Sequence, residues 1–327
     1  MSSQHNVKVL IHFMKTNQSK LVNKNNQNNQ KNQKNQPNKV ITNKQIIQIN
    51  KINQIKKINQ IKKINQINKI NQINKINEIN KIKQIVKNAL LIGCNYIGSP
   101  YELNGCINDT NDLRNLLQSK YNFTNIKILT DDTLVKPTKD NIINEFKNLL
   151  INSKSGDILC FCFSGHGSQT IDRTNDEKDG NDEVIVSLDM NYVIDDELNN
   201  LIKTYLKTGI KLFALFDSCH SGSMLDLKYQ YLDSDNYNNL TINSQYNNLP
   251  GNVVMISGCM DKQTSADAYI KNRSRGAMTW SFIETINTTT SVNLLDIVNN
   301  MRNLLKSNGY TQIPQLSSDE QIGNIFL

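Results

Sequence analysis

The chain has 327 residues, enough for one large domain or two small ones, and a formal net charge of +8. No apolar run approaches the roughly 18 residues of a membrane-spanning helix, and its cysteines (94, 106, 160, 162, 219 and 259) lack the regular spacing of a disulfide framework. The net charge conceals an asymmetry: residues 1–88 hold eighteen Lys, one Glu and no Arg, a balance of +17, whereas the rest carries −9.

A low-complexity basic arm, residues 1–87, is therefore expected ahead of a body, residues 88–327. The VKVLIHFM stretch is interrupted by Lys8 and His12, which argues against a secretory signal. Reduced cysteines in a cytoplasmic setting, with no membrane association, are the expectation. From Ile46 to Ile85 an isoleucine falls at every third position among Asn, Gln and Lys. A helix turns about 100° per residue, so steps of three drift around the cylinder and form no single apolar face. In a strand the same period alternates faces. The arm is thus expected to be disordered and prone to self-association through its Ile and Asn/Gln content. Its charge would hold nucleic acid weakly and without sequence preference. Phe13 is the only aromatic in residues 1–88, so stacking and bidentate readout are missing.

In the body, ALLIGCN (89–95) reads as a buried strand, and Leu113, Leu116 and Leu117 place a helix over 108–121. NIKILT (125–130) is a second strand. Thr138 caps a helix carrying Ile142, Ile143, Phe146, Leu149 and Leu150. DILCFCFSGHG (157–167) and KLFALFDSCHSG (211–222) begin as continuous apolar strands and end in small polar groups, with a helix over 195–206 between them. NVVMISG (252–258), two further helices (274–286 and 292–309) and a short strand at 312–316 complete the pattern. Strands alternating with helices predict an α/β fold around a mostly parallel sheet.

In such sheets the site lies beyond the carboxyl ends of the strands. SGHG and DSCHSG stand at two of these ends, so His166 and Cys219 face one another if their strands are neighbours. An imidazole can hold a thiol as thiolate and then protonate a leaving amine. The N–H groups of Gly167 and Cys219, both placed in turns, are candidates for an oxyanion hole. Two bland readings stand beside this: Cys219 as a half-buried cysteine at a strand end, and DEKDGNDE (176–183) as a solvated acidic loop. A zinc site on Cys160, Cys162, His166 and Cys219 has no recognised spacing.

The segments SGHGSQ (164–169), DEKDGNDEVIVSLD (176–189), VIDDEL (193–198), ALFDSCHSGSMLDLKYQY (214–231) and GNVVMISGCMDKQTSADA (251–268) resemble, in order, the motifs of metacaspases. The resemblance runs from about Ala89 to the C-terminus. It implies a caspase-like fold and a cysteine endopeptidase cutting after Arg or Lys, activated by calcium, capable of self-processing and monomeric. His166 and Cys219 would form the dyad, with His220 a neighbour. Cys106, Asp109, Ser164 and Asp217 would line the pocket for the basic side chain. Asp182, Asp195, Asp196 and Asp226 would bind Ca²⁺, although Asp195 and Asp196 also suit a helix N-terminus. About 25 residues separate Asp226 from Gly251, so the chain is type I-like. The usual type I prodomain is replaced by the isoleucine repeat. The competing expectations are a catalytically silent scaffold and a nucleic-acid- or aggregate-binding protein dominated by its arm.

Overall fold

The structure is a computed structural model that describes residues 42–82, 85–172, 180–219, 221–231, 240–243, 246, 248–258 and 267–327. The chain divides into two units, residues 1–79 and 80–327.

In the first unit the repeat forms one helix, α1 (Asn43–Ile82). Residues 1–41 of the expected arm lie outside the described residues. Over α1 the expectation of disorder is replaced by a helix. Backbone i→i−4 bonding requires no apolar face, and no Gly or Pro interrupts this segment. Gln45 accepts the Thr42 backbone N–H at 3.1 Å, which satisfies one orphan donor of the first turn. From Ile46 to Ile73 the isoleucines are all exposed, at 46 to 56%. The apolar residues therefore wind around α1 as a ribbon.

The second unit is built on a mixed sheet. Its strands are β1 (Lys87–Gly93), β2 (Asn125–Thr130), β3 (Ile158–Ser164), β7 (Lys211–Asp217), β8 (Tyr229–Tyr231), β9 (Leu240–Ile242), β10 (Asn252–Ser257) and β13 (Gln315–Ser318). The order is β2-β1-β3-β7-β10-β13-β8-β9, parallel from β2 to β10 and antiparallel beyond. Alternate side chains of each central strand enter opposite cores. Leu90, Ile92, Phe161, Phe163, Leu212 and Phe216 pack beneath α3 (Lys139–Ile151) and α4 (Asp195–Tyr205). Leu91, Cys160, Cys162, Phe213 and Leu215 pack beneath α2 (Cys106–Tyr121), α5 (Ala277–Thr288) and α6 (Leu294–Ser307). Both faces are covered, which is why these strands read as unbroken apolar runs. Cys160 and Cys162 are core residues, with their sulfurs 3.5 Å apart.

Two smaller sheets have no counterpart in the sequence reading. One joins β4 (Gly167–Ile171), β5 (Asn181–Val186) and β6 (Tyr192–Ile194); the other is the hairpin β11 (Asp267–Ile270) and β12 (Arg273–Gly276). The end of the supposed acidic loop is thus strand β5, with Asp182 and Glu183 buried, while residues 173–179 lie outside the described set. Gly167 opens β4 rather than lying in a turn.

Candidate active site

Strands β3 and β7 are adjacent and parallel, with Ser164 opposite Asp217. His166 and Cys219 each follow a strand end by two residues, so they emerge on the same edge of the sheet. The two loops approach closely at Gly167. A Cβ there would stand 1.9 Å from the Cys219 carbonyl oxygen. Only glycine allows that approach. Cys219 is half-buried, whereas Cys94, Cys106, Cys160 and Cys162 are buried. His220 and Cys259 lie outside the described residues.

His166 is held from several sides. Its backbone N–H donates to the Tyr96 hydroxyl at 2.9 Å, and that hydroxyl donates to the Val186 carbonyl at 2.6 Å. Val186 N–H donates back to the His166 carbonyl at 2.9 Å. The Tyr96 ring lies 4.8 Å from the imidazole, centre to centre. Burial, more than any neighbouring charge, pushes the Tyr96 hydroxyl above its ordinary range, so it stays neutral and can both donate and accept. His166 Nε2 lies 2.7 Å from the Tyr101 carbonyl oxygen. A carbonyl only accepts, so Nε2 carries the proton in this arrangement and Nδ1 is the basic nitrogen.

Cys106, Asp109, Ser164 and Asp217 meet beside this edge, all buried. Ser164 donates to Asp109 Oδ2 at 2.8 Å, and Gly276 N–H donates to both Asp109 oxygens at 3.0 and 2.9 Å. Thr279 N–H, in the first turn of α5, donates to Asp217 Oδ2 at 2.8 Å. Burial first, and the Asp217 charge second, raise the Asp109 carboxyl well above the usual range. Burial and then Asp109 do the same to the Cys106 thiol. The opening of α5 thus donates backbone hydrogen bonds to both acids.

A second acidic group joins Glu183 of β5, Asp195 at the start of α4 and Asp226 beyond β7; Asp182, next to Glu183 on β5, is buried like these three, and Asp196 is half-buried. Asp195 accepts the N–H of Glu183 at 3.0 Å and of Asp196 at 2.8 Å. Burial, then Asp226, then Glu183, push its carboxyl up to about 10. These acids offer only oxygen donors, the hard type that Ca²⁺ takes, and the repulsion on Asp195 would be relieved by a cation. Among the described residues, no three His, Cys, Asp or Glu side chains already converge as a metal-holding group.

Tyr96, Tyr101, Glu183 and Gly276 escaped the sequence reading. Tyr101 and Gly276 act through the backbone, which no side-chain pattern reveals. Tyr96 follows a strand end, as His166 and Cys219 do, and that position was the available signal.

Chemically, a half-buried thiol and an imidazole that leave neighbouring strands on the same sheet edge are the groups needed for nucleophilic attack on an acyl group. A model of the metacaspase, peptidase C14 domain matches residues 87–228. Metacaspase-1 of Meyerozyma guilliermondii is 37% identical over 284 residues, covering 71% of this chain and 69% of that protein. Metacaspase-1 of Debaryomyces hansenii is 38% identical over 283 residues, covering 71% and 64%. A solved protein of Geobacter sulfurreducens superposes with a TM-score of 0.53 at 23% identity, covering 71% of this chain and 93% of its own, which supports the fold alone. The chain belongs to the metacaspases, cysteine-type peptidases with a caspase-like α/β domain.

Proposed function

We propose that the protein is an endopeptidase that cuts after Arg or Lys, with Cys219 as nucleophile, His166 as its base, and calcium as activator. The observation that carries the specificity is the meeting of Asp109 and Asp217 beside the edge that bears Cys219. Two buried carboxylates suit a cationic side chain and repel an acidic one. Cys106 and Ser164 line the same pocket.

Cys219 passes its proton to Nδ1 of His166, and the thiolate attacks the scissile carbonyl. The N–H groups of Cys219 and Gly167 are the candidate donors to the developing oxyanion. The imidazolium protonates the leaving amine as the C–N bond breaks, which leaves a thioester. Water, deprotonated by His166, then releases the acid and restores the thiol. Asp182, Asp195, Asp196 and Asp226 would hold Ca²⁺, whose positive charge would offset the repulsion that Asp226 and Glu183 exert on the Asp195 carboxyl. The lysines of the basic arm are side chains of the kind the pocket takes, which supports self-processing there.

The test is hydrolysis of fluorogenic peptides ending in Arg or in Asp, at millimolar calcium, by the parent and Cys219→Ala. Cleavage of the Arg peptide alone, abolished in the variant, is expected. Equal cleavage of the Asp peptide overturns the assigned specificity, and an active variant overturns the nucleophile.

A further inference from the structure

We infer that Glu183 is a positioning residue that holds the loops of His166 and Cys219 in register with one another. The inference rests on the reading of those two residues as the catalytic pair. Glu183 lies on β5 and is 1% exposed. Its Oε1 accepts from Gln169 Nε2 at 3.1 Å, and its Oε2 accepts from Ser223 Oγ at 2.6 Å. Gln169 stands opposite it on β4, three residues after His166. Ser223 stands four residues after Cys219. One carboxylate therefore ties together the segments that leave β3 and β7.

Packing alone does not account for a carboxylate here. Burying one carries a large desolvation penalty, and an apolar side chain of similar size would fill the space without it. What the carboxylate adds is two directed, charge-assisted hydrogen bonds with fixed geometry. The close approach at Gly167 involves no side chain of its own, so it limits how near the loops come without fixing their lateral offset. The Glu183 backbone N–H also donates to Asp195 at 3.0 Å, which anchors the bridge to the start of α4. A misplacement of about 1 Å between reacting groups costs on the order of 100-fold in rate.

The experiment compares the full chain with Glu183→Ala, Glu183→Gln, Ser223→Ala and the Glu183→Ala/Ser223→Ala double variant. The readouts are kcat and KM on the Arg peptide, the pH profile of iodoacetamide alkylation at Cys219 followed by peptide mapping, and Tm. In Glu183→Ala we expect kcat to fall on the order of 100-fold with KM little changed. Alkylation should slow at neutral pH, and its midpoint should move toward that of a free thiol, because the thiolate loses its imidazole partner. Glu183→Gln should recover most of both readouts, since its amide oxygen can accept from Gln169 while its NH₂ donates to Ser223 Oγ. The double variant should be no worse than Glu183→Ala, the non-additivity of a shared bridge. The inference is overturned by a Glu183→Ala protein with parental kcat and alkylation profile. It is equally overturned if the loss follows a fall in Tm that Glu183→Gln does not repair. His166→Ala separates the two layers of argument. If that variant cleaves and alkylates like the parent, the dyad reading fails; if it is silent while Glu183→Ala is parental, only the bridge fails.

Discussion

The backbone N–H of Gly276 donates to both carboxylate oxygens of Asp109, and the Cα of the same glycine closes over Asp217. A Cβ at this position would stand 2.1 Å from Asp217 Oδ2 and 2.7 Å from Asp109 Oδ2. Gly276→Ala must therefore push the start of α5 away from the acid pair. Overpacking of this kind costs about 1–3 kcal/mol, or roughly 2–12 °C in Tm for a domain of this size. Cleavage of the Arg peptide should fall with it. Thermal melts and kcat/KM measured together check this; a variant with parental values of both would show that the gap is not required.

Burial, and after it repulsion from Asp217, raise the carboxyl of Asp109. Asp217→Asn removes that repulsion and one of the two carboxyl groups that would meet a basic side chain. We expect kcat/KM for the Arg peptide to drop on the order of 100-fold, in line with loss of one partner of a desolvated ion pair. Tm should hold or rise. Steady-state kinetics beside a melt distinguish this from simple unfolding.

Tyr96→Phe keeps the ring against His166 and deletes the hydroxyl that links the His166 N–H to the Val186 carbonyl. Leaving these buried groups unpaired costs about 1–3 kcal/mol. The chemical step should slow by roughly tenfold or more, since the imidazole is no longer fixed, with KM unchanged. A variant that keeps parental kcat would show that Val186 N–H and Tyr101 suffice to hold the histidine.

The Asp195 carboxyl stands at about 10 in the folded chain, against about 3.9 when unfolded. The folded state retains a proton that the unfolded state loses. This stabilising share is complete below about pH 4 and is lost as pH rises toward 10. Without metal, Tm should therefore fall between pH 5 and 9, and Asp195→Asn should flatten that slope. Calcium should raise Tm of the parent through mass action, and not that of the variant. Melts in chelator and in millimolar calcium across this pH range provide the check.

Phe161 lies at the centre of the first core, 4.5 Å from Phe146 and 5.6 Å from Phe216, ring centre to ring centre. Phe161→Ala should cost about 3–5 kcal/mol, and a denaturant melt should show it. Because β3 carries His166 at its end, loss of activity should accompany this destabilisation.

The alternation of buried strands and helices was legible in the sequence because each central strand is covered on both faces. Helix α3 began where Thr138 predicted, its hydroxyl accepting from Asn141 N–H at 3.4 Å. The small sheet of β4, β5 and β6 was not legible. GSQTI has no apolar alternation, and Asp182 and Glu183 look like solvated charges until their partners are known. The helix over the isoleucine repeat was missed because its period was judged by the face it would bury, and among its described side chains α1 buries none.

By itself, the sequence determined that His166 and Cys219 follow apolar strands, because strand and turn are encoded by neighbouring residues. It also determined that a basic arm precedes an acidic body. Tertiary structure alone decided that β3 and β7 are adjacent, and so brought the two loops together. It also joined Ser164 to Asp109 across 55 residues and Gly276 to Asp109 across 167. Glu183 became a bridge only when β4 and β5 paired and the Cys219 loop folded over them. Periodicity is a local property and survives in the linear sequence; which strand lies beside which is settled by the shared burial of both sheet faces.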